Sequence, residues 1–182
     1  HWDAARGILY WVDIKGRTLE WMGPGGAVQR LAVPSQPSIV ACRSAGGLLM
    51  VGDAGVGVLD LASGLFGRRL QVEADRPGNR SNDGKIGVDG RLWFGTMCDE
   101  GDERSGALYR LDADWRCERV RDGMGIPNAM VTSAAGDRLY VADSADAVIV
   151  VHEISLQGAL GPPQPFVDLS GTGAPDGAAL DR

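Results

Sequence analysis

Four segments spread along this chain share one outline, and that repetition limits the fold more than any other feature. Each runs from small turn residues, past a glycine, into an apolar strand. They are Asp3-Ala-Ala-Arg-Gly-Ile-Leu-Tyr-Trp-Val-Asp13, Arg43-Ser-Ala-Gly-Gly-Leu-Leu-Met-Val-Gly-Asp53, Val88-Asp-Gly-Arg-Leu-Trp-Phe-Gly95 and Ser133-Ala-Ala-Gly-Asp-Arg-Leu-Tyr-Val-Ala-Asp143. Aligned on Leu9, Leu48, Leu92 and Leu139, the copies recur every roughly 40 to 47 residues, and a further copy opens at Leu180. A unit of that length made of short strands predicts a propeller blade of four strands. Such a blade cannot bury both of its faces alone and is stabilised by stacking on its neighbours. The expected fold is all-β, with about four blades over residues 1–182 as a single partial domain.

The stretches between the copies agree. With 27 glycines and nine prolines in 182 residues, there is little room for long helices. Residues 107–111 and 116–120 flank Asp112-Ala-Asp-Trp115 and read as a hairpin, although their composition also suits a helix. Val148 to Ile154 is β-branched and strand-like, and Gly23-Pro-Gly-Gly26 and Gly161-Pro-Pro163 read as turns.

The formal net charge of -6 leaves no basic stretch to neutralise phosphates, so neither nucleic acid nor an anionic membrane is an expected partner. Trp2, Trp11 and Trp93 therefore read as core residues rather than a base-stacking platform. No apolar run reaches the roughly 20 residues of a membrane span, and nothing indicates a protein partner. Three cysteines, Cys42, Cys98 and Cys117, match no zinc or redox spacing and read as free thiols. That points to a reducing, cytoplasmic setting. The chain opens at His1 already inside a strand pattern, which reads as truncation more simply than as a removed leader.

Polar residues recur in phase with the repeat. Asn82 lies in Asn79-Arg-Ser-Asn-Asp-Gly84, Asn128 in Gly125-Ile-Pro-Asn-Ala129 and Asp176 in Gly173-Ala-Pro-Asp-Gly177. Both intervals slightly exceed roughly 45 residues, one blade. If these residues open innermost strands, their side-chain oxygens converge at one end of a central channel. Asn-Asp-Gly and Pro-Asp-Gly are also ordinary turn sequences, and that reading stays open beside the first. An oxygen-only set suits a hard cation such as Ca²⁺, Mg²⁺ or Mn²⁺ better than a thiophilic metal; the divalent metal expected is Ca²⁺, with Zn²⁺, Mn²⁺ or Mg²⁺ as alternatives. His1 and His152 have no partner at ligand spacing and read as surface or packing residues.

Taken in order, Asn79-Arg-Ser-Asn-Asp-Gly-Lys85, Gly90-Arg-Leu-Trp-Phe-Gly-Thr-Met97, Gly106-Ala-Leu-Tyr-Arg-Leu111, Ile126-Pro-Asn128, Leu139-Tyr-Val-Ala-Asp-Ser144 and Pro175-Asp-Gly177 resemble the SMP-30/gluconolactonase family. Trp2-Asp3 with Leu9-Tyr-Trp-Val-Asp-Ile14 resembles its first block. The resemblance implies a six-bladed propeller, here incomplete at both ends, and a metal-dependent hydrolase opening small sugar-type lactones. It implies metal ligands at Asn128 and Asp176, with a third, a Glu, ahead of His1. It implies substrate contacts from Arg80, Asn82 and Glu100, with Asp99 close to the last. Ala129 departs from the family, where Gly often follows the Asn; the difference matters if the backbone needs a positive φ. On this reading Asp176 is metal ligand and general base. Asp83 reads as a turn stabiliser, and Asp143 and Ser144 as blade architecture. Ser-His-Asp chemistry is disfavoured, since no Gly-x-Ser-x-Gly elbow exists. The alternative is a non-enzymatic propeller binding Ca²⁺ or a metabolite as a regulator, and a weaker one is a protein-interaction scaffold.

Overall fold

Short extended segments punctuated by glycine turns can satisfy their backbone groups only by pairing with each other, and here they pair with their nearest neighbours in sequence. The computed structural model describes residues 1–100 and 104–181. Among them sixteen strands form four antiparallel sheets of four. The first sheet holds β1 (Trp2–Asp3), β2 (Ile8–Asp13), β3 (Thr18–Met22) and β4 (Val28–Ala32), and the second β5 (Pro37–Cys42), β6 (Leu48–Gly52), β7 (Gly55–Leu59) and β8 (Phe66–Leu70). The third holds β9 (Asn79–Ile86), β10 (Leu92–Cys98), β11 (Gly106–Leu111) and β12 (Cys117–Met124), and the fourth β13 (Pro127–Thr132), β14 (Arg138–Asp143), β15 (Val148–Glu153) and β16 (Gln164–Asp168). Strand order in every sheet follows chain order. The four sequence repeats are the second strands, β2, β6, β10 and β14. Residues 106–124 form the hairpin and not the helix that their composition also allowed.

Burial grades across each sheet. Strands β10 and β11 are buried almost throughout, whereas the fourth strands β4, β8, β12 and β16 are largely exposed. The exposed edges carry charge, as in Arg68 and Arg69 of β8 or Glu118, Arg119, Arg121 and Asp122 of β12, which blunts strand-to-strand association.

The chain divides into two compact units, His1–Ser81 and Asn82–Arg182. The first is built around Tyr10, Leu19, Val40, Leu48, Met50 and Leu59. The second is built around Trp93, Leu108, Met124, Met130, Leu139 and Val141. Within the second unit Arg110, almost fully buried, ties two sheets together: its guanidinium donates to the Gly158 carbonyl (2.6 Å) and pairs with Glu118 (3.0 Å) and Asp112 (3.2 Å). Trp93 is fully buried, as expected of a core residue, but Trp2 is 58% exposed and so is not one. His152 is a packing residue, buried with Nδ1 bonded to the Gly161 carbonyl at 2.8 Å. Burial pushes its pKa down and keeps the ring neutral. All three cysteines are free, and burial pushes the Cys117 thiol up to about 11, so it stays protonated and unreactive. Among the described residues no helix is long and apolar enough to cross a membrane.

Candidate active site between the first strands of two sheets

The second unit brings Asn82 and Asp83 of β9 into hydrogen-bond contact with β13, the first strand of the next sheet, and glycine makes the approach to β13 close. A Cβ on Gly95 of β10 would collide with the Pro127 ring and come within 2.8 Å of Met130 Cε. Asp143 fixes the entry into β13: its carboxylate accepts the Gly125 and Ile126 amides at 2.8 and 2.9 Å and pairs with Arg104 at 2.9 Å. Asp143 is thus architectural, as the sequence suggested.

Between Asn128 and Val131 the register slips, and Ala129 takes a φ of +51° while buried. A bulge of this kind re-aims the neighbouring side chain. The positive φ that would make alanine costly at this position is therefore present. Replacing Ala129 by Gly removes the Cβ conflict, and urea unfolding of Ala129→Gly is expected to show a gain of about 1 kcal/mol. A loss would mean that the methyl group packs better than the backbone is strained.

Asn128, buried, sits at the centre of a bonded chain. Asn82 Nδ2 donates to the Pro127 carbonyl (3.1 Å) and to Asn128 Oδ1 (2.9 Å). Asn128 Nδ2 donates to Ser144 Oγ at 2.9 Å, and Ser144 Oγ donates to the Pro175 carbonyl. Residues 46 apart in sequence therefore touch, and the chain reaches the peptide just before Asp176. The residue 82–84 segment is not a turn but part of the eight-residue strand β9. Asp83 is correspondingly not a turn stabiliser: Oδ2 accepts the Met130 amide of β13 at 3.2 Å, while Oδ1 accepts the Gly84 amide at 2.8 Å. Burial raises the pKa of Asp83, and the negative charge of Asp176 raises it further; the Met130 and Gly84 amides and Lys85 oppose both. Asp176 itself is exposed, in an irregular segment after β16.

Ser144 was read from sequence as blade architecture, and its link between Asn128 and Pro175 was missed. The polar set here is Asn82, Asp83, Asn128, Ser144 and Asp176. Arg80 lies two residues before Asn82 on the same strand, so alternation puts both on one face; its Nη1 donates to the Ser81 carbonyl at 3.0 Å. Glu100 is exposed just beyond β10, next to the segment 101–103 that lies outside the described residues. Among the described residues no three His, Cys, Asp or Glu side chains gather as a metal cluster. The Asp83 carboxylate feels the negative charge of Asp176, and Asn128 Oδ1 accepts from Asn82; oxygen-bearing side chains of these types are of the hard kind that suits a small divalent cation.

Residues 1–182, the whole chain, match the family described as SMP-30/Gluconolactonase/LRE-like region. The chain belongs to that family. It is 31% identical over 188 residues to 6-deoxy-6-sulfogluconolactonase of Pseudomonas putida, covering 99% of this chain and 63% of that protein. It is 30% identical over 188 residues to regucalcin of Gallus gallus, with the same shares covered. A crystal structure of a calcium-binding protein, regucalcin, from Agrobacterium tumefaciens superposes with a TM-score of 0.91 at 29% identity, over 97% of this chain and 61% of that one. This SMP-30/gluconolactonase-family chain thus spans somewhat less than two thirds of the length of these relatives, and its four sheets are those of a partial β-propeller.

Proposed function

We propose that the whole protein hydrolyses small sugar-type lactones with the help of a divalent cation held by Asn128 and Asp176. The single observation that supports it most is the bonded chain from Asn82 through Asn128 and Ser144 to Pro175, which joins three blade-phased segments at one place. The names of relatives that act on gluconolactones supply the substrate class. A bound divalent cation, Ca²⁺ foremost, would polarise a carbonyl and make a nearby water more acidic.

The remaining steps fall to side chains. Asp176, exposed on its segment, takes a proton from the attacking water. The water oxygen bonds to the lactone carbonyl carbon, the ring C–O bond breaks, and the departing alkoxide takes the proton that Asp176 accepted, which gives the free hydroxyl and the carboxylic acid and restores the Asp176 carboxylate. Arg80 offers a planar fork of donors for substrate oxygens. Asn82, whose Nδ2 donates to Pro127 and Asn128, presents Oδ1 as an acceptor for hydroxyls, and Glu100 supplies a further acceptor.

The test is acid release from glucono-1,5-lactone, above the spontaneous rate, by the whole protein with and without a chelator. The expected result is loss of about 10²-fold or more in rate on chelation, restored by Ca²⁺ or Mn²⁺. Lactone opening that survives complete removal of metal would contradict the reading. Cation binding without any lactone opening would favour the regulatory alternative.

A further inference from the structure

Every hydroxyl and amide around Asn128 has its direction dictated from the two ends of the chain they form. Pro127 and Pro175 each contribute a carbonyl oxygen, which can only accept. Asn82 must therefore turn Nδ2 toward the Pro127 carbonyl, and that same group meets Asn128 at 2.9 Å, so Asn128 must present Oδ1 to it. From the other end, the Ser144 hydroxyl spends its one proton on the Pro175 carbonyl, so only lone pairs remain for Asn128, which must present Nδ2. The two constraints agree. An asparagine amide is nearly symmetric in shape and could otherwise turn over, exchanging oxygen for nitrogen.

Ser144 is itself firmly placed. Its amide donates to the Ile126 carbonyl at 2.9 Å, and the preceding Asp143 accepts the Gly125 and Ile126 amides. The same hydroxyl holds Pro175, the residue bonded to Asp176.

We propose that Ser144 is a positioning residue that fixes the Asn128 amide with its oxygen turned away from Ser144, and that couples this orientation to the placement of the Asp176 segment. That this serves a cation rests on the reading given under Proposed function. An amide oxygen can ligate a hard cation and an NH₂ group cannot, so a freely turning Asn128 would bind the cation more weakly. Residues that orient ligands in this way typically alter metal affinity about 10- to 100-fold when removed.

The experiment compares the wild-type whole protein with Ser144→Ala and Ser144→Thr. Ca²⁺ and Mn²⁺ affinities are measured by calorimetry, stability by urea unfolding, and the Asn128 side-chain amide by NMR in metal-free protein. Ser144→Ala is expected to weaken cation binding about 10-fold or more while remaining folded, and Ser144→Thr, which keeps the hydroxyl, to recover most of it. The Asn128 NH₂ protons should be slowly exchanging in the wild type and in Ser144→Thr, and fast in Ser144→Ala. Unchanged affinity in a folded Ser144→Ala would overturn the proposal. If the wild type binds neither cation, the metal reading fails instead, and the NMR comparison decides alone: faster exchange in Ser144→Ala supports Ser144 as the orienting group, and equal exchange overturns it.

Discussion

Asp176→Ala is expected to lower lactone opening by about 10³-fold or more, because in the proposed function one change removes both a cation ligand and the base that accepts the water proton. The fold should hardly register it. Asp176 is exposed and lies outside the strands, and its charge works against the nearby Asp83 carboxylate. Unfolding free energy should stay within about 0.5 kcal/mol of wild type, the usual range for a surface change. The two readings must be taken on the same preparation, by initial-rate acid release and by urea denaturation. An Asp176→Ala protein that opens lactones at the wild-type rate would remove this residue from the chemistry. Asp176→Asn is informative beside it: the amide keeps an oxygen for the cation but has no basicity, so cation binding should fall less than turnover.

Gly95→Val should have a large structural effect near the site. The Cβ alone would strike Pro127 and press on Met130 Cε, and two further methyl groups have nowhere to go in a strand that is buried on both sides. Overpacking of this kind costs about 1–3 kcal/mol, and here the displaced element is β13 itself. Pro127 accepts from Asn82 and precedes Asn128, so a shift of this strand disturbs the bonded chain directly. The expected outcome is a large drop in the urea midpoint with loss of cation affinity in whatever remains folded. Wild-type stability in Gly95→Val would mean that β10 and β13 are not pressed together as described.

The architecture was legible because the repeat carries it. The aligned Leu48, Leu92 and Leu139 all fall in second strands and are buried, while Leu9, beside the two-residue β1, is left 39% exposed. A period of one blade and strand-like segments between turns are local signals, and they survive folding unchanged. The site was legible only where it shares that period. Asn82 and Asn128 were identified from their phase, and they do lie on first strands in contact. The local reading of Asn-Asp-Gly as a turn failed because a neighbouring sheet overrides it: Asp83 accepts an amide from β13, 47 residues away. The positive φ of Ala129 is not legible from residues 125–131 alone, since alanine is a poor choice there; only the Gly that often follows the Asn in the family points to it. Ser144 was hidden for a similar reason. A serine after a strand looks like an ordinary turn former, and its significance depends on a carbonyl 31 residues further along.

Whether Asn128 and Asp176 hold a common divalent cation, as proposed, is decided by anomalous diffraction from crystals of the whole protein grown with Mn²⁺. One strong peak is expected, with Asn128 Oδ1 and an Asp176 carboxylate oxygen both within about 2.0–2.6 Å, and Asn128 Nδ2 still facing Ser144. A peak elsewhere, or one touching neither residue, would contradict it.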